Sequence, residues 1–320
     1  MIGLHWLYLF AGLVFASFAI SSARDPTNPK RWGNTAFWGL LAASFWFGDV
    51  LGDTGNGLLV LALVGIAGAH LLGRGSREAT TGQERQRLSD RLGNRLFLPA
   101  LVIPVTAFVG TLLFTYTPLK GTGLIDPKSV TLVLLGAGVI AALIICYAWL
   151  RPPAVAAIDE GGRLADSIGW AIVLPQMLAA LGAVFAAAGV GEIIGGIAGA
   201  VIPEGSIFLA VLLYAVGMAL FTMIMGNAFA AFPVMAAAIG VPILIRSGGG
   251  NPAVIGAVGM LAGFCGTLMT PMAANFNIVP AALLELKDQY GVIRAQVATA
   301  IPLLIVNILI LYAGGFLWSR

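Results

Sequence analysis

Two stretches near the C-terminal end carry side chains able to bind a solute where a plain membrane helix would carry Leu or Val. One reads GNAFAAFPVMAAAIGVP over residues 226–242 and holds Gly226, Asn227 and Pro233. The other reads GTLMTPMAANFNIVPAALLE over 266–285 and holds Gly266, Thr267, Thr270, Pro271, Asn275 and Asn277. An Asn side chain offers two N–H donors and an acceptor oxygen, and a Thr hydroxyl both gives and takes. Pro233 removes a backbone donor and disturbs the preceding turn, which should free carbonyls near Asn227 and Ala228. A helix that restarts after a break presents unpaired N–H groups, an anion site reinforced by the macrodipole. Broken backbone in hydrocarbon is tolerated only inside protein or beside a wet cavity. Paired interruptions of this kind point to the binding site of a solute path. The bland reading is a pair of kinked helices packed through Gly and Asn, which are common in membranes. The density of polar side chains in the second stretch exceeds what one helix contact needs.

Carboxylates are the usual carriers of ion coupling in membranes. Asp49, Asp53 and Glu192 are the candidates, although each also fits a solvated interfacial position. His5 and His70 stand singly near helix ends. Cys146 and Cys265 lie in apolar stretches without metal-ligand spacing and read as small hydrophobes. Trp6, Trp32, Trp38, Trp149 and Trp318 fall near expected helix ends and read as interfacial anchors. No HExxH, GxSxG, P-loop or Cys/His cluster occurs, so the residues suggest neither an enzyme nor a resident cofactor. No basic-aromatic patch suggests nucleic acid.

The elements that must position these residues follow from composition. Hydrophobic residues make up 59% of the 320 and charged ones 10%, and mean hydropathy is +0.96. Soluble domains carry roughly 25% charged residues. The expected class is therefore an all-α polytopic integral membrane protein. At about 20 residues per span, roughly nine or ten membrane segments fit, counting broken or re-entrant ones. The N-terminus starts without Lys or Arg and reads as a first span over 2–22 rather than a signal peptide. Further spans are expected over 35–48, 57–72, 96–115 and 130–150, after which Arg151-Pro152-Pro153 stops the helix.

Nine of the 17 basic residues (Arg24, Lys30, Arg31, Arg74, Arg77, Arg85, Arg87, Arg91 and Arg95) fall in two loops separated by two spans. The positive-inside rule puts both loops in the cytoplasm and the N-terminus outside. Residues 1–153 then read as a scaffold of plain helices with a basic loop at 73–95. Residues 154–320 read as an irregular transport core. It begins with an interfacial helix over 154–166 and contains a short piece over 193–202 that suits a re-entrant or interfacial segment. The broken segments over 226–242 and 266–284 and a final helix over 295–318 complete it. The Arg151-Pro152-Pro153 stop and the Gly248–Gly250 connector look able to bend.

The strings MGNAFAAFPVMAAAIGVPIL and GFCGTLMTPMAANFNIVPAALLELKDQYGVIRAQ resemble the larger subunit family of the bacterial two-component 5-oxoproline (pyroglutamate) transporter. The resemblance is strongest over 178–296. That family is in turn similar to ion-transporter superfamily carriers such as gluconate and dicarboxylate permeases, which place a polar, Pro-containing break in each of two inverted repeats. The resemblance implies an inner-membrane secondary transporter for a small organic anion, driven by H+ or Na+ and completed by a second, smaller polytopic membrane subunit. It implicates Gly226, Asn227 and Pro233 in one break and Gly266, Thr267, Thr270, Pro271, Asn275 and Asn277 in the other. The chain is short for a complete two-repeat carrier, which fits a two-subunit assembly. The other expectations left open are a different carboxylate or sugar-acid permease, a non-transporting membrane assembly subunit, and an intramembrane enzyme.

Overall fold

The computed structural model describes residues 2–75, 81–118, 122–203, 205–284 and 286–317. Arg77 and Trp318, both named above, lie outside the described residues, as do Glu78, Glu204 and Glu285. The chain forms two units, residues 1–169 and 170–320. The boundary falls after the helix expected over 154–166, which therefore lies in the first unit. Eight helices are long and apolar enough to cross a membrane among the described residues. The chain is a polytopic α-helical membrane protein.

The first unit contains α1 (Leu4–Ala23), α2 (Arg31–Gly68), α3 (Gly82–Leu92), α4 (Phe97–Tyr116), α5 (Val130–Leu150) and α6 (Ala156–Ile168). Helix α2 is a hairpin in two arms. Gly52 takes φ 61° and ψ −173°, a backbone region that only Gly adopts readily. Asn56 caps the apex by donating to the carbonyls of Gly48 (2.7 Å) and Gly52 (2.9 Å). The two ends of the hairpin meet: Asn34 Nδ2 donates to the carbonyl of Gly73 at 2.8 Å, and Gly73 N donates to Asn34 Oδ1 at 2.9 Å.

The same contacts bring the two basic loops together. Asn28 Nδ2 reaches the Gly73 carbonyl (3.1 Å), and Lys30 Nζ reaches the His70 carbonyl (2.6 Å). Loops 24–30 and 69–75 thus share one end of the unit. Backbone bonds from Ile2 N to Leu124 O (2.7 Å) and from Asp126 N to Ile2 O (3.0 Å) join the N-terminus to the loop between α4 and α5. Trp38, expected as an interfacial anchor, is instead 1% exposed. It stacks on Phe15 and meets Phe18 and Phe37 edge-on, because an indole inside a helical hairpin buries more apolar area than one at its rim.

The second unit contains α7 (Leu174–Ala187), α8 (Val190–Val201), α9 (Ile207–Met225), α10 (Ala228–Met235), α11 (Pro252–Thr267), α12 (Ala274–Leu283) and α13 (Gly291–Tyr312). A wide π-type helix over Ala236–Ser247 continues α10, and another over Ala313–Leu317 continues α13. The core joins α9, α11, α13 and the first wide helix through Val211, Tyr214, Met218, Ile239, Ile255 and Leu311.

The expected short piece over 193–202 is the end of α8, and it is neither isolated nor folded back on itself. Gly182 faces Ala230, Gly191 faces Val234, and Gly195 faces Ala238. Helices α7 and α8 therefore run alongside α10 and its wide extension. Glycines spaced four apart let the backbones approach, the usual way membrane helices gain contact. The Gly248–Gly250 connector is not a loose bend. The N–H groups of Gly248, Gly249 and Gly250 donate to Ile243, Ile245 and Leu244, and Asn251 N donates to the Gly315 carbonyl at 2.9 Å.

Candidate functional site

The first interruption is a tight helical turn. Helix α9 ends at Gly226, with φ 74° and ψ 1°, whose N–H donates to the Thr222 carbonyl at 2.7 Å. Asn227 is extended (φ −153°, ψ 128°) and caps α10, its Oδ1 accepting from Phe229 N at 2.7 Å. One helix thus stops and the next starts within two residues, because Gly tolerates the left-handed region and Asn is among the best N-caps. The chain then returns: Gly217 faces Met235 and Gly240 faces Tyr214, so α9 and α10 form an antiparallel pair.

The role expected for Pro233 needs correction. The Asn227 carbonyl is not freed but accepts from Ala231 N at 3.2 Å. Proline removes the bond to the residue four before it, which is Phe229. Pro233 itself is exposed on the arm of the pair and is not part of the turn.

The second interruption covers 268–273, between α11 and α12. Its polar side chains are turned inward onto the backbone. Asn277, fully buried, donates from Nδ2 to the carbonyls of Thr267 (2.8 Å) and Thr270 (2.7 Å). The first of these bonds takes up a carbonyl that the end of α11 leaves without a helical partner, and the second takes up one in the break itself. Thr267 Oγ1 donates to the Phe264 carbonyl at 2.6 Å. Thr270 Oγ1 donates to the Met223 carbonyl at 2.9 Å and accepts from Met272 N at 3.2 Å. Gly266 lies directly on α9, where a Cβ would overlap the Ala219 carbonyl. Pro271 is exposed.

The two interruptions meet. Gly259 faces Tyr214, Gly263 faces Thr222, and Gly266 faces Ala219, so α9 and α11 run parallel and end at the same level. A Cβ on Gly226 would lie 2.5 Å from the Met272 carbonyl. Since Asn251 pairs with Gly315 and Cys265 with Asn307, α13 runs antiparallel to α11. The result is a helix turn pressed against the break between α11 and α12.

Several polar atoms here have no protein partner. They are Asn277 Oδ1, Asn275 Oδ1, Thr222 Oγ1 and Tyr214 OH. Both N–H groups of Asn277 face carbonyls, so its amide orientation is set by its neighbours and the spare atom is an acceptor. Buried polar groups without partners cost free energy and call for an explanation such as water, an ion or a ligand. Beside the cluster, a cavity of about 300 Å³ is lined by Phe264, Cys265, Thr267, Phe276, Leu303 and Asn307 among others. Asn307, buried on α13, donates to Cys265 Sγ at 3.4 Å. Tyr214, Thr222 and Asn307 do not stand out among the apolar residues of the sequence. Tyr214 and Thr222 share a face of α9 with Met218, and that spacing toward the glycines of α11 was the available signal.

The carboxylates are placed differently. Asp49 and Asp53 flank the Gly52 apex of the first unit and are exposed, and Glu192, in the first turn of α8, is exposed too. Glu192, in the same unit as the Asn–Thr cluster, makes no hydrogen bond with it. A carboxylate that meets buried side chains is the half-buried Asp166 on α6, whose Oδ1 accepts from Asn34 Nδ2 and Trp38 Nε1, both at 2.8 Å. Among the described residues, no three of His, Cys, Asp or Glu gather where they could hold a metal ion.

No curated protein and no solved structure matches the chain. The model of a family described as "Protein of unknown function (DUF979)" matches residues 5–316. The chain belongs to that family.

Proposed function

We propose that the chain is the larger subunit of a secondary transporter for a small organic anion, with 5-oxoproline as the substrate. It works in the bacterial inner membrane with its N-terminus outside, is driven by H+ or Na+, and is completed by a smaller polytopic subunit. The observation that carries this reading is the meeting of the Gly226-Asn227 turn with the Thr267–Asn277 break, where Thr270 bonds the carbonyl of Met223. Discontinuous helices that expose polar groups next to one another are the usual setting of a carrier's binding site.

The chemistry of 5-oxoproline suits the groups present. Its lactam N–H is a donor, and Asn277 Oδ1 and Asn275 Oδ1 are acceptors without protein partners. Its carboxylate suits the start of α12, where Ala273 provides no side-chain cap and the first N–H groups remain available to an anion. No Lys or Arg lies in either motif, which favours recognition by amides and helix ends over an ion pair.

The test is uptake of labelled 5-oxoproline by proteoliposomes holding this chain and its partner under imposed proton or sodium gradients. Accumulation that unlabelled 5-oxoproline displaces is expected. Absence of uptake under every gradient removes the substrate. Uptake unaffected by Asn277→Ala and Thr270→Val removes the site.

A further inference from the structure

Helix α3 lies outside both interruptions and serves none of the chemistry above. Its eleven residues, GQERQRLSDRL, include no buried one. It is nonetheless a well-specified helix. Thr81 Oγ1 accepts from Glu84 N (3.3 Å) while Glu84 Oε2 accepts from Thr81 N (3.2 Å), a capping box that fixes the N-terminus.

The residues divide by face. Leu88 and Leu92 are four apart and share one side of the helix, and Arg85 and Arg91, each three from Leu88, lie beside them. Arg87 flanks that side, and Arg95 follows in the next turn. Gln83, Gln86 and Asp90 occupy the opposite side. The acids of the helix are engaged away from Arg87 and Arg91: Glu84 sits in the capping box, and Asp90, on the far side, accepts from Gln86 Nε2 at 3.0 Å. Apolar residues bordered by arginines, with neutral and acidic groups behind, form the pattern of a helix lying in a membrane interface.

Its position selects the partner. A single tight turn, Gly93–Leu96, joins α3 to the apolar helix α4, a separation of roughly 8 Å at the rise of such a turn. Leu96 and Phe97 at the junction are exposed. Wherever α4 enters the bilayer, α3 is held at the water boundary beside it.

We propose that α3 docks on the headgroups of anionic phospholipids, with Leu88 and Leu92 entering the acyl boundary and Arg87 and Arg91 pairing with phosphates. Long Arg stems can bury their methylenes beside the leucines while the guanidinium stays at the headgroups. The proposal is independent of any transport substrate.

The test is backbone hydrogen exchange of residues 83–92 in the full chain, reconstituted in nanodiscs of phosphatidylcholine alone or with phosphatidylglycerol. Slower exchange in the anionic discs is expected, reduced by high salt. Each basic residue near an anionic surface contributes about a fivefold preference, so Arg87 and Arg91 changed together to Gln should weaken docking by roughly 25-fold. Leu88→Gln with Leu92→Gln should also lose the protection, whereas Gln86→Ala on the far face should keep it. Equal exchange in the two kinds of disc overturns the proposal. So does protection that survives the double Arg change, because another part of the protein would then be covering the helix.

Discussion

Thr270 Oγ1 donates to the carbonyl of Met223 over 2.9 Å, tying the break between α11 and α12 to the last turn of α9. The carbonyls of a helix's last turn have no intrahelical partner, so this hydroxyl completes one element while fixing a second against it. The separation of 47 positions along the chain explains why neither motif alone reveals the contact.

Replacing Thr270 by Val keeps the shape and removes the donor. A net hydrogen bond is worth about 1 kcal/mol, and leaving a buried acceptor unmade costs about 1–3 kcal/mol. Thr270→Val should lower the thermal midpoint in detergent and reduce uptake, while Thr270→Ser restores both. A Val variant as stable and active as the parent would mean that the tie is dispensable.

Asn277→Asp removes both N–H donors and sets a carboxylate against two carbonyls. It should be worse than Asn277→Ala, which only leaves the Thr267 and Thr270 carbonyls unmet. Urea or thermal unfolding of the two variants checks the order. The reverse order would show that the Nδ2 bonds do not hold the break.

Gly226→Ala meets two obstacles, a positive φ and the Met272 carbonyl at 2.5 Å. The left-handed region alone costs a non-glycine residue about 1–2 kcal/mol. The variant should be destabilised by more than that and should lose uptake, whereas Gly249→Ala, also at positive φ but with open space around it, should pay the conformational cost alone. Equal stability losses at the two positions would argue against the close approach at Met272.

Asp166 holds Asn34 and Trp38 through one oxygen. Asp166→Leu strands both donors in a buried place and should destabilise the first unit by about 1–3 kcal/mol for each. Asp166→Asn keeps an acceptor oxygen and should cost less. Tryptophan fluorescence of Trp38, in a variant lacking the other indoles, reads the difference directly.

The meeting of the two basic loops gives a topology test. Cysteines placed at Lys30 and Gly82 should react with an impermeant maleimide from one side of the membrane, and one placed at Asp53 from the other. Labelling of all three from a single side would contradict the hairpin in α2.

Much of the architecture was legible locally. Composition and the length of apolar runs place a polytopic helical protein, because hydrocarbon leaves few other ways to satisfy a backbone. The Arg151-Pro152-Pro153 stop and the span over 130–150 coincide with the end and extent of α5. The GDVLGDTGN stretch marks the turn of α2, although only the contacts of Asn34 and Lys30 with the returning chain show that the hairpin closes.

The site was legible as residue types and not as an arrangement. Asn, Thr and Gly at apolar positions announce that something needs partners, since polar groups are costly there, but they do not say which partners. That Pro233 faces away, that Asn277 spends its donors on Thr267 and Thr270, and that Asp166 rather than Asp49, Asp53 or Glu192 accepts from buried Asn34 and Trp38 all depend on which surfaces of distant helices face each other. Sequence periodicity records which face of a helix is polar. Only tertiary packing decides what that face meets, because in a membrane protein lipid and protein neighbours are equally apolar and leave the same pattern of residues.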